Sequence, residues 1–227
     1  MSPFVLMVAN RADQATEITY AFSQYVKDYV LTHGIEGSYL GDSDATPHQV
    51  GRGLALMPWG FFHWDHGDRE TLYGEWTDNT IVAIVDVSVA GLLRGCIIDT
   101  CSCLSAAELG PEAIKKGALA YLGYNEITYV SADEETKRVM NTAKIALLDG
   151  KTAGEAWQLQ HDAYGEPSRC GVARLVRRIL GQDVLDALRS LRDALTGRVV
   201  NVLAQYFYSW NQSHWVLLGD ANARRPS

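Results

Sequence analysis

The sequence predicts an α/β domain in three layers, a central and mainly parallel sheet with helices on both faces. Three observations carry that prediction. Apolar runs such as FVLMVAN (Phe4–Asn10) and GCIIDT (Gly95–Thr100) lack polar alternation, the pattern of strands covered on both sides. Segments of helical spacing lie between those runs, and a strand–helix–strand succession brings each strand back parallel to the last. Finally, 227 residues that are 47% hydrophobic and 21% charged suffice for a sizeable core and exclude a disordered chain. Residues 1–227 are read as a single domain, with 220–227 as a disordered tail.

The elements follow in chain order. Phe4–Asn10 is the first strand. Thr16–Thr32 places Ile18, Phe22, Val26 and Val30 on one helical stripe that Gly34 stops. GSYLGD is a short strand, and TPHQVGRGLAL a helix with Pro47 in its first turn. WGFFHW is the third strand, and NTIVAIVD a further extended segment. After the buried strand GCIIDT, a helix is expected from a Ser105/Glu108 capping box, then the strand ALAYLGY (Ala118–Tyr124). Two more helices are expected from capping boxes at Ser131/Glu134 and Thr152/Glu155. Arg169–Leu195 reads as an amphipathic helix with its charged face in water, and HWVLLGD as an edge strand.

Bulk properties exclude several classes. A formal net charge of −7 gives no basic footprint for nucleic acid and suits a basic peptide or protein partner better. The N-terminal MSPFVLMVANRADQ has no basic lead-in or cleavage site, so it is a strand and not a signal peptide. No apolar run reaches 18 residues, since Asp86 interrupts IVAIVDVSVAGLL, so no membrane contact is expected. Four clustered cysteines are too few for a disulfide scaffold. A cytoplasmic location is the expectation.

Chemistry in an open parallel sheet gathers beyond the carboxyl ends of its strands. His66, followed by Gly67, and the cluster DTCSC (Asp99–Cys103) both fall there. If their strands are neighbours, an imidazole and a thiol share one rim, a dyad suited to acyl transfer. Other readings stay open. Cys103 could be the nucleophile in place of Cys101. His63, His66, Cys101 and Cys103 could hold zinc, although H-x-x-H across a strand end points its rings apart. Asp42, Asp44, Asp65, Asp68 and Glu70 read as solvated loop charges. No D-x-D-x-D-G loop is present to hold calcium. Cys96 and Cys170 read as structural.

GFFHWDHG, an apolar strand ending at His-Gly, and CIIDTCS, an apolar strand ending at Asp-x-Cys, together resemble the caspase-like cysteine peptidases: caspases, metacaspases, clostripain and gingipains. AIKKGALAYLGYNE is similar to the family's following helix and core strand, and WVLLGDANAR to the LLGDP of gingipain domains, with Ala221 in place of proline. The resemblance implies a caspase-like three-layer sandwich and a cysteine endopeptidase that needs no cofactor, although some members use calcium. It makes His66 the general acid/base and Cys101 the nucleophile. It makes the Gly67 N–H an oxyanion donor, and Asp99 the acid that pairs with an arginine, or a lysine, before the scissile bond. Asp99 could instead accept backbone hydrogen bonds at its strand end. His63, one position off the motif, is expected to tolerate substitution far better than His66. The 35-residue separation (101 − 66) is shorter than in many relatives, and the usual glycine after Cys-x-x is absent from CSCLS. A catalytically silent interaction module in a larger assembly is the alternative. With no pro-segment in sight, control is expected from a regulatory protein partner, from calcium, or from cleavage within Asp65–Asn79.

Overall fold

A computed structural model describes residues 3–77, 80–165 and 207–226. The amphipathic stretch Arg169–Leu195 and Cys170 lie outside the described residues. Among those described, six strands form one sheet in the order β2-β1-β3-β6-β7-β8. They are β1 (Val5–Ala9), β2 (Gly37–Gly41), β3 (Gly60–Trp64), β6 (Ile97–Thr100), β7 (Ala120–Tyr124) and β8 (Trp215–Gly219). Every pairing is parallel except that of β7 with the edge strand β8. The apolar runs are the buried strands: β1, β3, β6 and β7 are buried at every position.

Alternation along those strands builds two cores. Val5, Met7, Phe62, Trp64, Ile97 and Leu122 face the layer of α1 (Gln14–Thr32), α4 (Glu134–Met140), α5 (Thr142–Leu148) and α6 (Ala153–Gly165). Leu6, Val8, Phe61, Ile98 and Tyr121 face the other layer, which holds α2 (Pro47–Ala55) and α3 (Leu109–Lys115). The α/β sandwich expected from the sequence is therefore the architecture found.

Several local expectations change. Thr71–Thr77, part of the expected loop Asp65–Asn79, is the strand β4, paired antiparallel with β5 (Thr80–Asp86) in a separate two-stranded sheet. Gly74 lets β4 press on the turn above β2: a Cβ there would meet Ala45 O at 2.3 Å. The Ser105 hydroxyl is taken by Thr100 and by Ser102 O, so α3 starts from Glu108 without a side-chain cap. Asp133, not Ser131, caps α4 by accepting from Thr136 N at 2.8 Å. The expected single helix breaks at Asn141, whose buried amide bonds to Trp64 Nε1, Phe22 O and Lys137 O. The Thr152/Glu155 capping box forms as read. The final segment is anchored, because Ala221 O and Ala223 O accept from the first N–H groups of α6, Gly154 N and Ala153 N.

Candidate active site

Three neighbouring strands deliver the candidate residues to one edge. Asp13 follows β1, His66 follows β3 and Cys101 follows β6, and those strands are adjacent in the sheet. The chain leaves β1 for β2 on one side and then crosses to β3 on the other, which opens a crevice at their carboxyl ends. A cleft of about 40 Å³ occupies this edge, lined by residues including Thr16, Asp65, His66, Cys101, Cys103 and Thr128. The imidazole and both thiols expected from the sequence therefore border one cavity.

Sequence reasoning missed Asp13, which organises the histidine. It is the N-cap of α1, with one oxygen accepting Thr16 N at 2.9 Å. Its other oxygen lies 2.8 Å from His66 Nε2. Burial pushes the Asp13 carboxyl up, but the bonds from Thr16 and His66 outweigh it and hold the group below its ordinary value. A carboxylate only accepts, so Nε2 carries the hydrogen and Nδ1 of the neutral ring keeps its lone pair. The signal for Asp13 was available as an acidic cap directly beyond an apolar strand.

The Cys101 side of the site is buried. The residue is 3% exposed, and burial pushes its thiol up to about 12. Its backbone N–H donates to His63 O at 2.8 Å. Cys103 is more exposed than Cys101, and burial raises its thiol as well. Its sulfur accepts from Thr128 N at 3.4 Å and donates to Thr128 O.

Gly67 stands between the two motifs. A Cβ there would meet Ser102 Cβ at 2.9 Å and Cys103 O at 3.0 Å, so only glycine allows this approach. The bridge between Gly67 and Leu72 uses Asp68 N to Thr71 O and Tyr73 N to His66 O, leaving the Gly67 N–H uncommitted among the described residues.

Asp65 is 4% exposed, not the solvated charge expected. One of its oxygens accepts His66 N at 2.6 Å, and the other has no partner among the described residues. Burial pushes this carboxyl up to about 8, so it is largely protonated at neutral pH.

Asp99 does not reach the cleft. Its side chain is fully buried and paired with the equally buried Lys144 of α5, which also lies over the Trp64 ring at 5.1 Å. Burial pushes the Asp99 carboxyl up, and Lys144 offsets part of that. In this structure the Asp99 carboxyl is engaged by Lys144 and not by backbone N–H groups.

His63 faces the other core, with both ring nitrogens engaged, so it does not converge with His66, Cys101 and Cys103. Among the described residues, no group of three or more His, Cys, Asp and Glu is placed to hold a metal ion. None of their helices is long and apolar enough to cross a membrane.

The architecture is similar to that of solved cysteine proteinase structures. The crystal structure of the Arg-specific cysteine proteinase gingipain R (RgpB) matches with a TM-score of 0.62 at 11% identity, over 98% of this chain and 47% of that one. The complex of the RgpB pro- and mature domains from Porphyromonas gingivalis matches with a TM-score of 0.60 at 8% identity, over 97% and 48%. This chain thus spans about half the length of the gingipain chains. No family model matches the sequence, and no curated protein matches it either.

Proposed function

We propose that the chain, built on the caspase-like fold it shares with gingipain R, is a cysteine-type endopeptidase. The observation that carries this reading is the convergence of His66 and Cys101 on one cleft, with Asp13 behind the imidazole. A thiol raised to about 12 is not a preformed thiolate. The sulfur therefore attacks the scissile carbonyl carbon as its proton passes to Nδ1 of His66, and Asp13 stabilises the imidazolium. The uncommitted Gly67 N–H is the proposed donor to the oxyanion. The C–N bond then breaks as His66 returns the proton to the leaving amine, which leaves a thioester on Cys101. Water attacks that thioester, gives a proton to His66, and releases the acid and the restored thiol.

A cleft of about 40 Å³ is too small for an arginine side chain. We propose that substrate entry parts the first turn of α1 from Thr128 and Val130, which border the cleft, and that a protein partner controls this step. Cleavage after arginine is the finer part of the proposal. It is supported by the position of Asp99 two residues before Cys101 and by the arginine specificity of gingipain R. It requires the substrate guanidinium to replace Lys144 at the Asp99 carboxylate. The buried, protonated state of Cys101 favours one second reading, a catalytically silent interaction module.

The test is hydrolysis of peptides differing only in the residue before the scissile bond, with Arg, Lys, Asp and Leu compared. Arg is expected to lead, Cys101→Ala to abolish turnover, and His66→Ala to reduce it about 10²–10⁴-fold. A peptidyl chloromethyl ketone is expected to alkylate Cys101. No hydrolysis and no alkylation would establish the silent module, and alkylation of Cys103 alone would move the nucleophile there. Unchanged arginine preference in Asp99→Ala would remove Asp99 from substrate recognition.

A further inference from the structure

We infer that His63 is a positioning residue of this site, holding the Cys101–Cys103 segment in register with His66 through the Ser102 hydroxyl. The inference rests on the peptidase reading. It gives a role to a residue expected to tolerate substitution far better than His66, because the ring is a fully buried polar group whose two nitrogens bond to the Cys101–Cys103 segment and to β4.

The hydrogen positions follow from the partners of the ring. His63 Nε2 lies 2.7 Å from Tyr73 O. A carbonyl only accepts, so Nε2 carries the hydrogen and the neutral ring's Nδ1 accepts. Ser102 Oγ, 2.7 Å from Nδ1, is therefore the donor. Burial pushes the His63 imidazole down to about 4, which keeps it neutral near pH 7.

The partners of this ring make it more than a satisfied core histidine. Ser102 stands between the two cleft cysteines and is buried. The hydroxyl side of Ser102 meets His63, and its Cβ sits where a Gly67 side chain would have to be. Tyr73 accepts from His63 through its carbonyl and donates through its N–H to His66 O at 3.1 Å. One continuous chain of bonds thus runs from the nucleophile segment through Ser102, His63 and Tyr73 to the backbone of the base. The His63 carbonyl adds a second tie by accepting Cys101 N at 2.8 Å. A displacement of about 1 Å in such a site costs on the order of 100-fold in rate, so a neutral brace between the two motifs has a catalytic consequence.

Three variants separate this role from simple packing. Ser102→Ala removes only the donor. His63→Asn keeps an acceptor where Nδ1 was, and His63→Leu keeps bulk without one. Peptide hydrolysis, circular-dichroism melting, and iodoacetamide labelling of Cys101 and Cys103 mapped by mass spectrometry are the readouts. Ser102→Ala and His63→Leu are expected to lower kcat about 10–100-fold, by analogy with other supporting-shell groups. KM should change little, and the limbs of the pH profile should stay in place. His63→Asn is expected to recover most of kcat. The inference is overturned if folded Ser102→Ala keeps native kcat, or if His63→Asn and His63→Leu turn over equally. If the native chain hydrolyses no peptide, the peptidase reading fails separately. The labelling ratio of Cys101 to Cys103 then decides, and an unchanged ratio in Ser102→Ala overturns the positioning role.

Discussion

The two faces of the sheet beneath the Cys101–Cys103 segment are equally buried but built from different chemistry. Towards α5, Asp99 and Lys144 form an ion pair in which one Asp99 oxygen has no partner among the described residues. Towards the β4–β5 hairpin, His63, Ser102, Thr100 and Ser105 form a neutral network in which each side chain is hydrogen-bonded. The charged face depends on one contact, because each buried ion requires the other. The neutral face spreads its demands over several modest bonds whose directions fix geometry. The site thus separates a pair that is costly to break from a network that holds its parts in place.

Lys144→Met should have the largest effect, since it leaves a carboxylate buried alone. A loss of about 3–5 kcal/mol in urea-unfolding free energy is expected, while the double variant Asp99→Leu/Lys144→Met should lose much less. Equal losses in the two would mean that the pair is uncoupled, and the contrast between the faces would disappear.

The neutral face should reveal itself through pH. The folded His63 pKa lies at about 4, below the ordinary 6.5, so the unfolded chain takes up the proton first. The His63 contribution to stability is fully present above pH 6.5 and is lost as pH drops towards about 4, by roughly 3 kcal/mol. The raised Asp65 carboxyl contributes a slope of opposite sign over the same window, so the readout is the difference in urea-unfolding free energy between the native chain and His63→Asn, which should change with pH by that amount. A difference that stays constant across the window would assign the pH dependence to another group.

The smallest effect on stability is expected at Asp13, where capping and catalysis can be separated. Asparagine caps as well as aspartate, so Asp13→Asn should keep the melting temperature but slow turnover. Asp13→Ala should lose about 1 kcal/mol as well. If Asp13→Asn turned over at the native rate, the carboxylate would be a cap alone.

The same contrast explains what the sequence made legible. Strands β1, β3, β6 and β7 were readable because burial on both faces leaves uninterrupted apolar runs. His66 and Cys101 were readable as candidates because they end such runs, and the likeness to gingipain R confirms the fold they suggested. Strand β4 was not, because Thr71–Thr77 carries Gly74 and Glu75, and its partner is set by hairpin pairing and not by its own pattern. Nothing in the sequence around Lys144 marks it as a partner of Asp99, and only the packing of α5 on the sheet brings the two together. Asp13 and His66 are 53 positions apart, and their pairing follows from strand order. Ser105 and Ser131 had capping-box spacing, but spacing does not decide which nearby group takes the hydroxyl or the cap.

The last strand is not where the domain stops. Beyond Gly219 the chain turns back, and the carbonyls of Ala221 and Ala223 receive the opening N–H groups of α6, while Ala221 packs where a side chain on Gly154 would be. These few residues act as a latch. An expression boundary drawn after β8, or an affinity tag fused directly to it, would strip the start of α6 of its acceptors. A boundary chosen for production of this domain therefore belongs beyond Ala223.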